Sequence, residues 1–552
     1  MRLLKLILLL ILLYGLFGCA PQTEKAPPNN PPPLAITENL SQTKLALDNS
    51  KALGYLGEQY EKAQRYDEAV TLTRRAIFNA QQANALAWLI RWQWQLGRIF
   101  QAQRKTNQAI PAYQQAVQLL VPEDTFRWEM TGCQASGDFS FYEKLRPLFF
   151  ELADLLLQRA ATEKNPTKKQ RDLQQVRDTI EQLKTADIEN YYGDCVAAFQ
   201  QKKQRVDNID DPHAAVIYPI LLDERLELLV SFPRKDSPPP IQRVAVPVGR
   251  DKIRDTVLLF HKELQAGRDD WESTRYLIHA QQLYKWLIAP LHPRLPENIH
   301  TLVFVPEGVL GTIPMAALHD GEKFLIENYA VAITPSLNLT APKSGSLKPD
   351  NTYALLSGLT EETQAYPKLP YAEYEIQEIS KLYSDSKRLL NEQFTLAKLT
   401  QALNNDDYNL VHIISHAEFA ENPEDSFIVT YGDQKLSLKD LESIIKPTQR
   451  RETPIELLTL SACNTAKGKY EQWAALGLSG IAVKAGARSA LATLWKAHDT
   501  AAYHLVRNFY NTLKTEQNSK AQALQAAQIA LIDTDFYHPF YWAPLVLIGN
   551  WL

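Results

Sequence analysis

"NLVHIISH" (409–416) and "ELLTLSAC" (456–463) decide how this chain is read. Each is a nearly continuous run of Leu, Ile and Val rather than an alternation of apolar and polar residues. A run of that length and kind fits a strand buried on both faces, as in a parallel sheet covered by helices. "SALATLW" (489–495) has the same character, and Thr301–Val305 and Tyr353–Gly358 add two further apolar runs. Helical patterns lie among them, over Ala372–Leu382, Trp473–Ala485 and Thr500–Leu513. Strands alternating with helices predict an α/β domain whose sheet is mostly parallel, with helices on both faces.

Working outward from there, Ala214–Pro219 and Arg225–Phe232 read as two strands of a hairpin turning at Leu222-Asp223-Glu224. Ile241–Val248 is strand-rich, and helical patterns follow over Ile253–Leu264 and Ser273–Leu291. Residues 210–270 are therefore expected to form a strand hairpin and the N-terminal part of the α/β region, with 271–552 as the α/β domain itself. In open α/β sheets function gathers beyond the carboxyl ends of strands. His416 and Cys463 close two of these runs, so parallel neighbouring strands would set them face to face. An imidazole beside a thiol takes its proton or holds the thiolate as an ion pair, which is what a nucleophilic cysteine needs at neutral pH. Taken alone, Cys463 reads more readily as a small buried apolar residue than as a nucleophile, and His416 equally as a half-buried hydrogen-bonded one. His412, inside the strand, reads as packing.

The blocks "VHIISHAEF" (411–419) and "LLTLSACNT" (457–465) resemble the two signature blocks of CHAT-domain proteins, caspase-like cysteine peptidases often fused to tetratricopeptide repeats. The resemblance continues in order through "VPEGVLGTIPMAAL" (305–318), "YAVAITPS" (329–336), "GLSGIAVKAGARSALATLWKAHD" (477–499), "FYNTL" (509–513), "ALQAAQ" (523–528) and "HPFYWAPLVLIG" (538–549). It implies a caspase-like α/β fold, with His416 as general base and Cys463 as nucleophile. The backbone amides of Ala417 and Cys463 would then form the oxyanion site. Caspases usually carry Gly after the histidine; Ala417 keeps the N–H while restricting φ. No acidic partner for His416 is identifiable in the sequence. Ser461, two residues before the cysteine, corresponds to a position lining the substrate pocket, and being uncharged it marks neither an acid- nor a base-selective pocket. Asp499 is the nearby acid that can select a basic side chain, or else cap the helix that follows it.

From Leu40 to about residue 200 the chain is rich in Ala, Gln, Leu, Glu and Arg with helical periodicity. Leu56-Gly57, Tyr60, Ala69 and Ala76 recur as Leu96-Gly97, Phe100, Ala109 and Ala116, a period of 40 residues. This spacing resembles the tetratricopeptide repeat, with small residues where paired helices cross; Tyr113 fits the later aromatic position and Thr73 departs from it. Such a domain either binds a regulatory protein or a protein substrate in a groove, or serves as plain helical support.

The first residues read as an address. Arg2 and Lys5 precede the uncharged apolar run Leu6–Phe17, shorter than a spanning helix needs. Leu16-Phe17-Gly18-Cys19 resembles a bacterial lipobox, implying cleavage and lipidation at Cys19 after a signal peptide over 1–19. A proline-rich linker is expected over 20–39. The resulting expectation is an exported lipoprotein, anchored by its N-terminal lipid on the extracytoplasmic side of a membrane. In that compartment Cys133 and Cys195 can pair or remain buried thiols, and the sequence leaves both open.

Bulk properties bound the rest. At 552 residues the chain needs several cores, and 45% hydrophobic with 22% charged residues is the composition of an ordered protein. A net charge of −4 gives no reason to expect nucleic acid. None of the four cysteines has CxxC spacing, so neither a structural metal nor another cofactor is expected. The functional expectation is a membrane-tethered caspase-like endopeptidase using a Cys-His dyad on a protein or peptide substrate. The alternative is a catalytically silent scaffold that keeps the fold for protein–protein interaction.

Overall fold

The computed structural model describes residues 34–120, 140–192, 209–233, 240–340, 345, 347–418, 426–445, 454–462, 487–515 and 518–552. Cys19, Cys133, Cys195 and Cys463, the leader over 1–19, and the helix expected over 473–485 lie outside these residues. The chain divides into two compact units, one ending at Trp92 and the other spanning Gln93–Leu552.

The first unit contains α1 (Leu34–Lys62), α2 (Tyr66–Gln82) and the start of α3 (Leu86–Ala102). α1 begins at Leu34, inside the segment expected as linker over 20–39. α2 buries Ala69, Thr73, Ala76, Ile77 and Ala80, an i, i+4, i+7 stripe facing its neighbour. Trp92 donates from its indole to Ser50 Oγ at 3.0 Å, and Ser50 donates to the Ala76 carbonyl at 2.8 Å, so the polar atoms in this core are paired.

α1, α2 and α3 end alike. Gln64, Asn84 and Arg104 take positive φ values of 59°, 47° and 59°. The next amide in each case reaches back five residues: Arg65 to Tyr60 O at 2.9 Å, Ala85 to Ala80 O at 2.9 Å, Lys105 to Phe100 O at 2.8 Å. That is the Schellman closure of a helix by a left-handed residue. Its even recurrence at 64, 84 and 104 is the structural content of the 40-residue period, two helices and two turns.

The second unit continues with α4 (Thr106–Leu120), α5 (Ser140–Thr162) and α6 (Pro166–Tyr192). A Cβ on Gly97 would stand 2.7 Å from the Tyr113 ring, so only glycine lets α3 and α4 cross this closely. The Tyr113 hydroxyl lies 2.8 Å from both Gln101 Oε1 and Glu151 Oε2, and Trp94 donates to Glu151 at 2.8 Å.

The α/β part contains β1 (Ala214–Leu221), β2 (Leu226–Ser231), β3 (Gln242–Val246), β4 (Thr301–Phe304), β5 (Ala330–Ile333), β6 (Ala354–Gly358), β7 (Ser386–Leu390), β8 (Leu410–Ser415), β9 (Ala417–Glu418), β10 (Phe427–Thr430), β11 (Gln434–Ser437), β12 (Leu457–Ala462), β13 (Ser489–Thr493) and β14 (Leu545–Gly549). Eleven of them form one sheet in the order β3-β2-β1-β4-β5-β14-β13-β12-β8-β6-β7, and β11-β10-β9 form a small separate one. The large sheet has two parallel halves. β1, β4, β5 and β14 run together, as do β13, β12, β8, β6 and β7, while β13 and β14 pair antiparallel from Ser489↔Gly549 to Thr493↔Leu545. β2 and β3 extend the first half as an antiparallel meander.

Helices α7 (Arg250–Ala266), α8 (Tyr276–Leu287), α9 (Ala372–Leu382), α10 (Leu396–Asn405), α11 (Leu438–Ile445), α12 (Asp499–Leu513) and α13 (Lys520–Ile532) are the longer helices of this part among the described residues. The helix expected over Ser273–Leu291 is shorter: α8 stops at Leu287 and a 3₁₀ segment, Ala289–Arg294, follows. Pro290 and Pro293 have no amide hydrogen to continue α-helical bonding. On one face of the sheet Val411, Ile413, Leu458 and Leu460 share a core with Leu399 and Leu403 of α10 and Leu441 and Ile444 of α11. The intervening residues point the other way, where His412 and Thr459 meet Tyr510 of α12. Both faces are covered, which is why β8 and β12 lack polar alternation. Each fully buried leucine on these strands contributes about 1.5–3 kcal/mol relative to leaving it exposed.

Candidate active site

β8 and β12 run side by side in register from Leu457↔Leu410 to Ala462↔Ser415. The next residues in the two sequences are Cys463 and His416. At His416 the backbone leaves the large sheet: Ala417–Glu418 forms β9 and pairs with β10, Ile428 opposite Ala417. Ser415 anchors that transfer by donating from Oγ to Val429 O at 2.5 Å, and the Val429 amide donates to His416 O at 2.8 Å. With that bond in place, Ala417 and Ile428 form a pair flanked by ladder bonds rather than joined by them. The Ala417 N–H is therefore outside the ladder.

The imidazole of His416 is half-buried and held from one side. Its Nε2 lies 2.9 Å from the carbonyl oxygen of Pro367, and its ring stacks on Tyr366 at a centroid distance of 5.1 Å and an interplanar angle of 27°. A carbonyl only accepts, so Nε2 carries the hydrogen and the lone pair of the neutral ring sits at Nδ1. A backbone carbonyl thus does for His416 what an aspartate does in a catalytic triad: it fixes tautomer and orientation. That partner has no side-chain signature, so no acidic orienter stands in the sequence to mark it. The rigid "YPKLP" segment (366–370) was the available signal. The same loop joins the sheet through Leu359, whose amide donates to Ile414 O at 3.0 Å. Gly358 makes this possible, since a Cβ there would lie 2.0 Å from that oxygen.

Residues 277–550 match the CHAT domain family. The chain carries a CHAT domain. Its architecture is the expected one, an α/β domain with a mostly parallel sheet and helices on both faces, preceded by tetratricopeptide-like helical hairpins. The chain is similar to human tetratricopeptide repeat protein 28, with 23% identity over 318 residues, 49% of this chain and 13% of that protein. It thus spans a small part of that relative's length. Among solved structures it is similar to the separase-securin complex of Saccharomyces cerevisiae, with a TM-score of 0.48 and 12% identity over 93% of this chain and 48% of that one. It is also similar to the complex of the pro- and mature domains of Porphyromonas gingivalis RgpB, with a TM-score of 0.33 and 10% identity over 55% of this chain and 76% of that one.

The remaining expected site residues of the CHAT domain fall as follows. Ser461 is half-buried on β12, in register with Ile414. Asp499 is half-buried too, and it is not the cap of its helix: the N-cap is His498, and Asp499 is the first helical residue with no capping bond. There its charge complements the positive end of the helix. His412 is more than packing. It is fully buried, with Nε2 2.9 Å from Glu375 Oε1 and Nδ1 3.2 Å from the Tyr510 hydroxyl. That hydroxyl also lies 2.7 Å from Thr459 Oγ1, and burial pushes its pKa well above the ordinary value. The Tyr510 hydroxyl thus ties β8 and β12 to α12, with Glu375 of α9 beside the His412 ring. Among the described residues no group of three His, Cys, Asp or Glu side chains converges to hold a metal, and no helix is long and apolar enough to cross a membrane.

Proposed function

We propose that the CHAT domain is a cysteine endopeptidase with His416 as general base and Cys463 as nucleophile. The observation that carries this reading is the 2.9 Å approach of His416 Nε2 to the Pro367 carbonyl, which selects the Nε2–H tautomer, at the end of a strand whose parallel neighbour leads directly into Cys463. In the proposed reaction Nδ1 takes the thiol proton and Sγ attacks the scissile carbonyl carbon. The Ala417 and Cys463 amides donate to the resulting oxyanion, and the imidazolium proton passes to the leaving amine as the C–N bond breaks. Water, deprotonated at Nδ1, then hydrolyses the thioester and restores the thiol. The half-buried, uncharged Ser461 supports a neutral or small side chain before the cut, and Asp499 supports a basic one only if it turns from the helix end toward substrate.

The test is labelling of the full chain by a thiol-reactive peptide probe, located by mass spectrometry. Wild type should label at Cys463, Cys463→Ala should not label there, and His416→Ala should label at least about a hundredfold more slowly, the lower end of the 10²–10⁴ range a positioned base supplies. Equal labelling of wild type and His416→Ala would leave the silent scaffold as the better reading.

We further propose that the helical hairpins bind a protein substrate or regulator, and that the chain is an exported lipoprotein anchored through Cys19. Fractionation of cells expressing Cys19→Ser tests the anchor: the variant should leave the membrane fraction, and retention there would reject lipidation at this residue.

A further inference from the structure

Five described residues other than glycine have positive φ: Gln64, Asn84 and Arg104 close helices, leaving Asn391 at 49° and Asp433 at 57°. The left-handed conformation costs an L-residue roughly 1–2 kcal/mol, which asparagine and aspartate usually offset by bonding to their own backbone. These two instead reach out, and both grip the loop that follows β6. Asn391 Oδ1 accepts from the Thr360 amide at 2.8 Å, and its Nδ2 donates to Thr360 Oγ1 at 3.0 Å. Asp433 accepts from Thr363 Oγ1 and from the Ala365 amide, the latter at 3.3 Å. The two turns are joined to each other, since the Tyr431 amide donates to Phe394 O at 2.9 Å.

The gripped loop also closes on itself. The Thr363 amide donates to Tyr366 O at 2.9 Å, and the Tyr366 amide to Thr363 Oγ1 at 3.1 Å. With Leu359 bonded to β8, the loop is held at Leu359, Thr360, Thr363, Ala365 and Tyr366. The next groups along the chain are the two that touch His416: the Tyr366 ring and the Pro367 carbonyl. Backbone strain maintained at two separate turns, with both side chains directed at one loop, is the pattern of strain retained for a site.

We propose that Asn391 and Asp433 are positioning residues for His416. By fixing the 360–366 loop they hold the Pro367 carbonyl on Nε2, and so keep the imidazole lone pair at Nδ1. The catalytic consequence rests on the peptidase reading; the effect on the imidazole does not.

The variants follow from the conformation. Asn391→Gly and Asp433→Gly adopt positive φ without strain and remove only the grip. Asp433→Asn and Asn391→Asp tolerate the same φ and keep an acceptor oxygen. Thr363→Val removes the hydroxyl half of the Asp433 contact, leaving the Ala365 amide, together with the bond the Tyr366 amide donates to Thr363 Oγ1. The full chain, labelled with ¹⁵N-histidine and assigned by loss of one signal in His416→Ala, gives the ring tautomer from the Nδ1 and Nε2 shifts. Wild type, Asp433→Asn and Asn391→Asp should show the Nε2–H form. Asp433→Gly, Asn391→Gly and Thr363→Val should each show averaging between tautomers, and the two glycine changes together should slow probe labelling of Cys463 by about tenfold, a part of what a positioned base supplies.

Wild-type ring shifts in all three grip-removing variants would overturn the proposal. Tautomer averaging in those variants, with labelling that does not respond to His416→Ala, would keep the positioning role and reject the peptidase reading. Averaging in Asp433→Asn equal to that in Asp433→Gly would also overturn it, because the retained acceptor should rescue the loop.

Discussion

At the scale of residues, the decisive atom is one without a side-chain name, the Pro367 carbonyl oxygen. Because the acceptor is backbone, Pro367→Ala retains it and should label with the probe within about threefold of wild type, even though the proline side chain is gone. Tyr366 acts on the face of the ring rather than its edge. When His416 takes a proton, the ring face beside it becomes the partner of a cation, an interaction of roughly 0.5–1 kcal/mol at an exposed site. Tyr366→Phe keeps that face and should leave the rate unchanged, whereas Tyr366→Ala should lower it by about two- to fivefold. The pH dependence of labelling checks the pair as a whole. A thiolate stabilised by His416 should react with a midpoint below the free-thiol value of about 8.5, and His416→Ala should move the midpoint up toward it. A midpoint that stays put in His416→Ala would show that imidazole and thiol do not communicate.

At the scale of elements, α6 shows how a helix is fastened to the sheet. Glu181 is fully buried and accepts from the Tyr218 hydroxyl at 2.8 Å, from Ser336 Oγ, and from the Leu337 and Asn338 amides at 3.1 Å each. Burial and the adjacent carboxylate hold the Tyr218 pKa well above its usual value, so it remains a donor. Glu181→Gln turns an acceptor into an NH₂ facing donors and should cost about 2–3 kcal/mol, read as a lower thermal midpoint. An unchanged midpoint would mean the four donors find other acceptors.

Elements also show what was legible in the sequence. β8, β12 and β13 announced themselves as continuous apolar runs, and the hairpin of β1 and β2 as runs around a polar turn. β5 and β14 were recognised only as parts of the family blocks "YAVAITPS" and "HPFYWAPLVLIG". His416 and the strand leading to Cys463 were legible because both lie at strand ends. The grip of Asn391 and Asp433 was not, because contacts between distant turns leave no periodic trace. The helix start at Asp499 was misplaced by one position, because aspartate is favoured both as a cap and in the first turn.

At the scale of the whole molecule, α5 and α6 meet the α/β part through a buried cluster of opposed charges. Glu307, beyond the end of β4, pairs with Arg146 and with Lys184 Nζ at 2.6 Å, while Asp187 lies 3.0 Å from the same Arg146. The two carboxyls respond differently. Burial and the adjoining Glu307 push Asp187 up to about 6, whereas the surrounding Arg146 and Lys184 outweigh burial and bring Glu307 down to about 2. Their linkage has opposite signs. The Glu307 contribution is present above the unfolded-state carboxyl pKa of about 4.3 and is lost as pH falls toward 2. The Asp187 contribution is present below an unfolded-state value of about 3.9 and is lost as pH rises through about 6. Thermal midpoints should therefore decline between pH 4 and 6 in wild type, and Asp187→Asn should flatten that decline. An equal slope in the variant would remove Asp187 as its source.

The central antiparallel seam bears on how the molecule is made. β14, the last of the strands in chain order, occupies the middle of the sheet between β5 and β13. As the chain emerges from the ribosome N-terminus first, each half-sheet can assemble early, but each waits with an unsatisfied row of amides and carbonyls along the edge that β14 will fill. Synthesis must reach Leu545–Gly549 before the two halves become one body. The nascent protein therefore passes through a stage with two sticky borders, and its yield should depend on how soon the closing strand arrives.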